Sequence, residues 1–212
     1  MSLCGSIYDN VVNNCNDLPP DRIECNVYII NYNDILYVQF DGENISEIRT
    51  TATHKDIAKL FLYGGKRAYR FEGKYNSVDV GSYQFELLYS DVYAHFVDIN
   101  VFSNTAYVKH EIEKLAKGRY VIIIENKRSG NEHYEVYGLY SGLVLIEKER
   151  AVADDEINSY FLSFESDVES PELHAPHNYL GDISWLTTDH WILWDGWWDN
   201  SGIWMDAEVW ED

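Results

Sequence analysis

The sequence Arg-Tyr-Val-Ile-Ile-Ile-Glu, residues 119–125, is the stretch that decides the fold. Five apolar residues follow one another between two charged ones, so a strand formed here has no polar face to turn toward water. Such a strand has to be covered on both faces. We therefore expect residues 119–125 to form a buried strand.

The residues directly before this strand predict an amphipathic helix over 105–117. Asn104 or Thr105 serves as its cap, and Gly118 is placed to end it. The apolar residues of this segment form one stripe at helical spacing, and charged residues occupy the other positions. The stripe consists of Val108, Ile112 and Leu115. We expect this helix to cover the strand at 119–125.

Segments rich in β-branched and aromatic residues predict further strands along the chain. They are residues 26–31, 35–40, 68–72, 83–90, 92–102, 133–140, 142–147 and 159–165. The first two, with a turn at 31–34, predict a hairpin. Thr53 as a cap, apolar residues at helical spacing after it, and a stop at Gly64-Gly65 predict a short second helix.

Short strands without regular βα alternation predict a mainly β fold, an antiparallel sandwich or barrel with one packed amphipathic helix and a short second helix. We divide the chain into an extended N-terminal arm (1–21), which ends in Pro19-Pro20, a β-domain (22–170) and an acidic, Trp-rich C-terminal tail (171–212).

The charge of the chain is strongly negative and uneven. Its 212 residues carry a net charge of −20, of which residues 151–212, with 15 acidic and no basic residues, contribute −15. This balance argues against a broad nucleic-acid-binding surface, because each neutralised phosphate needs a Lys or an Arg. No apolar run approaches the roughly 18 residues of a membrane span, and residues 1–10 lack the pattern of an export signal.

Three cysteines, Cys4, Cys15 and Cys25, lie near the N-terminus without C-x-x-C spacing or a nearby His. We expect reduced thiols and no zinc site, although one pair remains open. His174 and His177 have the i, i+3 spacing that two metal ligands can use, but a loop His beside Pro is more often a surface residue. The sequence contains no G-x-S-x-G, no H-E-x-x-H, no Walker loop and no Rossmann glycine motif. We therefore expect no catalysis, no metal and no cofactor.

All tryptophans of the chain lie in its last 28 residues, alternating with carboxylates. We predict that they form a protein interface, since Trp is enriched at interface hot spots. They are Trp185, Trp191, Trp194, Trp197, Trp198, Trp204 and Trp210. Two alternatives stay open: the tail folds back onto its own domain, or its aromatic faces and carboxylates form a sugar-stacking platform, which would make the chain a carbohydrate-binding or adhesin module.

The order strand, helix, apolar strand, polar turn and Tyr-Glu-Val-Tyr-Gly-Leu-Tyr-Ser-Gly-Leu over residues 101–145 resembles structural proteins of crAss-like and related gut bacteriophages and prophages. Those proteins are similar in architecture to phage tail-tube and tail-ring subunits. Cys15 and Cys25 before a Tyr-Ile-Ile-Asn strand, and the segment 154–160, also resemble the group. The resemblance covers residues 15–170, and the Trp-rich tail departs from it.

The resemblance implies a non-enzymatic virion protein, made in the bacterial cytoplasm and repeated around the tail or portal axis. Its partners would be copies of itself in a cyclic homo-oligomer, together with other virion tail or portal proteins. DNA would pass through without specific binding, because a negative wall repels phosphates. Sheet edges that extend into the next copy would close such a ring.

Overall fold

The protein is described by a computed structural model covering residues 24–43, 45–46, 55–74, 78–87, 90–101, 105–126, 133–152, 158–167, 169–187, 192–193 and 196–197. The predicted arm 1–21, with Cys4 and Cys15, lies outside these residues. Within them the fold is mainly β with two helices, α1 (Ala106–Leu115) and α2 (Ile183–Thr187). The strands are β1 (Glu24–Asn31), β2 (Ile35–Phe40), β3 (Ile45–Ser46), β4 (Ile57–Leu62), β5 (Tyr69–Lys74), β6 (Val78–Leu87), β7 (Ser90–Val101), β8 (Tyr120–Asn126), β9 (His133–Tyr137), β10 (Leu143–Val152), β11 (Asn158–Ser166), β12 (His177–Tyr179), β13 (Ile192–Leu193) and β14 (Gly196–Trp197).

Twelve of these strands form one mixed sheet. Its main path runs β3-β2-β4-β12-β9-β8-β10-β11-β7-β6, and β1 joins it between β5 and β8. The strands pair antiparallel except β12 and β4, which run parallel where Tyr179 lies opposite Ile57. One residue pair, Leu143 opposite Tyr120, connects the β10-β11-β7-β6 part to β8. The remaining two strands, β13 and β14, pair with each other.

Strand β8 is covered on both faces, as its sequence predicts. Successive side chains of a strand point to opposite faces, so its apolar run divides between two hydrophobic cores. Tyr120, Ile122 and Ile124 belong to the first core, whereas Val121 and Ile123 belong to the second. The neighbouring strand β1 divides its apolar residues in the same way.

Helix α1 packs its apolar stripe into the first core, which confirms the predicted helix. The Thr105 side chain accepts a hydrogen bond from the Val108 N–H at 3.2 Å, so Thr105 is the cap. Val108, Ile112 and Leu115 are buried. The helix does not cover β8 alone, because β7 and β11 contribute residues such as Ile99 and Leu162 to the same core.

The predicted hairpin of the first two strands is wrong, although both strands are present. β1 pairs with β5 and β8, whereas β2 pairs with β3 and β4. A 3-10 turn at Tyr32–Asp34 redirects the chain between them. The Tyr32 N–H donates to the Arg119 carbonyl, and the buried Asp34 carboxylate accepts from Asn31 and from Lys66. These bonds hold the turn against the start of β8 instead of closing a hairpin.

The short helix predicted after Thr53 is also wrong, because residues 57–62 form strand β4. Thr53 itself lies outside the described residues. Ile57 and Leu60 both face the second core at a spacing that imitates a helix. The pairing with β2 shifts register here: Gln39 lies opposite Lys59 and Phe40 lies opposite Ile57. This β-bulge adds one residue and breaks the period of two.

Residues 169–187, most of which the sequence assigns to the tail, contribute to the large sheet. Strand β12 lies between β9 and β4, and Glu172 forms an isolated bridge with Tyr93. Helix α2 buries Leu186 in the second core, and its carbonyl accepts a hydrogen bond from the Ala68 N–H. The second helix therefore lies at α2.

Candidate functional site

The most concentrated group of buried polar side chains surrounds the turn between β9 and β10. Gly138 and Gly142, with φ of +75° and +77°, shape this turn. Glu172 is fully buried, and its two carboxylate oxygens accept the N–H groups of Tyr140 at 2.9 Å and of Ser141 at 2.8 Å. The Glu172 carboxylate is therefore stabilised by backbone N–H donors.

His95 in β7 lies on the other side of the same turn. Its Nδ1 accepts the Gly138 N–H at 3.1 Å, and its Nε2 donates to the His174 carbonyl at 2.9 Å. A carbonyl only accepts, so these partners require the neutral ring with its proton on Nε2. Burial lowers the pKa of His95 to about 4, which keeps the ring neutral near pH 7.

His177 in β12 connects its strand to the Lys55 backbone and to the Tyr140 side chain. Its Nδ1 donates to the Lys55 carbonyl at 2.9 Å, and its Nε2 lies 3.2 Å from the Tyr140 hydroxyl, which donates to it. Ser141 adds a bond from its hydroxyl to the Pro171 carbonyl at 2.8 Å. Together these contacts fasten residues 171–177 to the β9–β10 turn.

The chemistry available to this cluster is limited by these bonds. Burial raises the pKa of Glu172 to about 6, although the backbone N–H groups of the turn act in the opposite direction. The described nitrogens of His95 and His177 and both oxygens of Glu172 are engaged in holding the chain. We therefore interpret the cluster as a structural fastening.

The histidine pair weighed as a metal site is close in space, with His174 and His177 ring centroids 6.0 Å apart. Within the described part of the chain, however, no group of three or more His, Cys, Asp or Glu residues is arranged to hold a metal ion. No sequence pattern indicated Glu172, which forms an isolated bridge with Tyr93 of β7.

Of the predicted tryptophan interface, only Trp185 has a described side chain. Trp185 is half-buried against the second core, and the Lys59 ammonium lies 3.8 Å from its ring centroid. Trp197 belongs to β14, and its side chain is not described. The other five lie outside the described residues: Trp191, Trp194, Trp198, Trp204 and Trp210. Whether they form an interface stays a prediction.

A second group of side chains lies on the face of β6, β7 and β11 that is turned away from the first core. Val80, Val97 and Phe164 point into that core, so their neighbours along each strand point outward. We call this outward surface the acidic aromatic face. Its residues are Asp79, Tyr83, Phe85, Phe96, Asp98 and Glu165.

A surface pocket of about 210 Å³ lies at one end of the acidic aromatic face. It is lined by Tyr83, Phe85, Ala94, Ser166, Asp167 and Pro171. The Tyr83 hydroxyl donates to Glu165 at 2.9 Å, and this bond raises the pKa of Tyr83. Tyr83 is nevertheless 51% exposed.

Comparison with known proteins gives no relative: no family model, no curated protein and no solved structure matches the chain. Neither α1 nor α2, the helices in the described ranges, has the length and apolar character that crossing a membrane requires.

Proposed function

We propose that the chain is a non-enzymatic bacteriophage virion protein, a ring or tube subunit near the tail or portal that assembles with copies of itself around a DNA conduit. The observation that carries this proposal is the edge strand β6. It ends the path of the large sheet, spans Val78–Leu87, and pairs with β7 along its whole length. Its other side faces away from the described strands of the sheet.

An edge of this length is a template for strand addition. Native proteins commonly guard exposed edges with Lys, Pro or very short strands. β6 contains neither Lys nor Pro and has ten residues, of which two, Asp79 and Glu86, are charged. Addition of a strand from a neighbouring copy to β6 would produce a head-to-tail contact, and such contacts close into rings when the rotation permits.

Two further features support an assembly role. The buried titratable groups around Glu172 are engaged in holding the chain, and a net charge of −20 favours a wall along which DNA slides without binding. The two hydrophobic cores on opposite faces of β1 and β8 also support the finer architecture, in which β10, β11, β7 and β6 form the second layer of a sandwich.

The test is the assembly state of the full chain by mass photometry and electron microscopy, with two matched variants. Tyr83→Lys puts a guarding charge on β6, and Tyr63→Lys makes the same change at a tyrosine that is 49% exposed after β4. We expect rings or tubes from the wild type and from Tyr63→Lys, and smaller species from Tyr83→Lys with unchanged circular dichroism. A monomeric wild type that is also missing from virions would refute the proposal.

A further inference from the structure

The strands behind the acidic aromatic face lack cationic residues altogether. β6, β7 and β11 together contain no Lys and no Arg, but they contain five carboxylates. The carboxylates are Asp79, Glu86, Asp91, Asp98 and Glu165. In the next strand, β10, Glu147 and Glu149 lie opposite Ser163 and Phe161 on the same outward side, whereas Lys148 lies opposite Leu162 of the first core. The outward side of these strands is therefore acidic.

Two of these carboxylates stand directly opposite each other. In the register of β6 and β7, Asp79 is the partner of Asp98, and both belong to the outward face. Like charges at opposite positions destabilise a strand pair. The Ser163 hydroxyl donates to Asp98 at 2.6 Å, whereas Asp79 is exposed. A positive group bound between the two would relieve this repulsion.

The aromatic members of the face are placed to accept the same kind of group. The Tyr83 and Phe85 rings lie with centroids 6.2 Å apart, beside the pocket of about 210 Å³. The Phe96 ring lies over Gly81, where a Cβ would come within 2.6 Å of its carbons. Exposed aromatic faces attract Lys and Arg side chains, and the adjacent carboxylates add charge pairing.

We propose that the acidic aromatic face binds an extended, Lys/Arg-rich segment of a partner protein. The proposal rests on the assembly role above and names the chemistry of one partner in it. Charge argues against the undescribed ends of the chain as occupants: residues 1–23 hold one basic and three acidic residues, and residues 188–212 hold seven acidic and no basic ones.

A second copy of the same face is also a poor occupant. If two copies of the face packed against each other, Asp79, Asp98 and Glu165 of one copy would meet the same carboxylates of the other. The packing would add like-charge contacts to the one that already exists between Asp79 and Asp98. A basic segment from a different protein relieves that contact without adding others.

The test is fluorescence anisotropy of a labelled twelve-residue peptide that alternates Arg and Thr, titrated with the full chain at low and at physiological salt. We expect saturable binding that weakens with salt, and Asp79→Asn and Tyr83→Ala to weaken it about threefold to tenfold each, the size of a charge pair or a cation–π contact. The control Glu113→Gln removes an exposed charge from α1, which packs on the first-core side of the sheet, and should leave binding within about twofold. Asp79→Asn should also raise the melting temperature of the free protein.

Equal loss of binding in Glu113→Gln, or no loss in Asp79→Asn and Tyr83→Ala, would overturn the inference, because attraction to net charge alone explains either result. Strong protection by millimolar Ca²⁺ that depends on Asp79, without peptide binding, would overturn it in favour of a cation site. Rings that form while the peptide fails to bind would refute this inference alone. Peptide binding by a monomer that forms no rings would refute the proposed function and leave the face assigned.

Discussion

Glu172→Ala should be among the most destabilising single substitutions of an acidic residue in this protein. The substitution leaves the buried N–H groups of Tyr140 and Ser141 without their acceptor. A buried N–H donor without a partner costs about 1–3 kcal/mol. Two of them should lower the free energy of unfolding by roughly 3 kcal/mol, because water that enters the site satisfies them in part. The matched control is Glu169→Ala, an exposed acid three residues earlier, for which we expect less than about 0.5 kcal/mol.

The pH dependence of stability provides a second, independent measure of the contribution of Glu172. Burial raises the pKa of Glu172 from 4.5 to about 6, so the folded state binds its proton more tightly than the unfolded state. The contribution of this group to stability therefore increases as the pH falls from above 6 to below 4.5, by up to about 2 kcal/mol. Glu172→Gln does not titrate. The free energy of unfolding of the wild type minus that of this variant should rise by that amount toward acid.

Urea denaturation followed by far-UV circular dichroism measures both quantities, with midpoints collected between pH 4.5 and 7.5. Subtracting the variant removes the contributions of all other titrating groups that do not couple to Glu172. A loss below about 1 kcal/mol in Glu172→Ala would show that the turn does not depend on this carboxylate. A wild-type-minus-Gln difference that is flat or falls toward acid would refute the burial argument.

Three further predictions follow from other elements, each measured by urea or thermal unfolding. Gly138→Ala should lower the free energy of unfolding by more than about 2 kcal/mol, because φ is +75° and a Cβ would lie 2.7 Å from Leu143. The control Gly42→Ala, at φ +69° with open space around it, should cost about 1 kcal/mol. Equal costs would contradict the steric part of the argument. Thr105→Ala should remove the cap of α1 and cost about 1 kcal/mol, and no loss would show that the cap is dispensable. Burial lowers the pKa of His95 from 6.5 to about 4, so the stability that the neutral ring contributes is complete above pH 6.5 and is lost toward pH 4, by up to about 3 kcal/mol. The free energy of unfolding of the wild type minus that of His95→Asn should therefore fall toward acid. A difference that rises toward acid would refute this sign.

The sequence was sufficient wherever one local pattern determined an element. Five apolar residues in a row predicted that β8 is covered twice, and they occupy both cores. The spacing of Val108, Ile112 and Leu115 predicted α1, whose stripe is buried. In both cases the period of the pattern and the burial it requires lie within about ten residues, so no distant contact is needed to interpret them.

The failures lie where distant residues decide. The bulge in β4 depends on its pairing with β2, and without that partner Ile57 and Leu60 have the spacing of a helix. The hairpin prediction failed because the Tyr32 N–H bonds to Arg119, 87 positions away in the sequence, and directs the chain away from β1. The fastening around Glu172 was invisible for the same reason: its donors lie about 30 positions earlier, and nothing in the local sequence marks a buried acid.

The acidic residues of this chain are stabilised in different ways, and the differences between them bear on the acidic aromatic face. Asp34, Glu111 and Asp167 pair with Lys66, Lys114 and Arg119. Glu172 is fully buried, binds backbone donors and has a raised pKa. Asp79 and Asp98 differ from these residues, because they lie opposite each other in β6 and β7, and neither strand contains a Lys or an Arg. An arrangement that leaves such repulsion in the free protein lowers its stability and raises its affinity for whatever supplies the positive charge. Binding of a basic partner would therefore restore the stability that the repulsion between Asp79 and Asp98 removes from the isolated subunit.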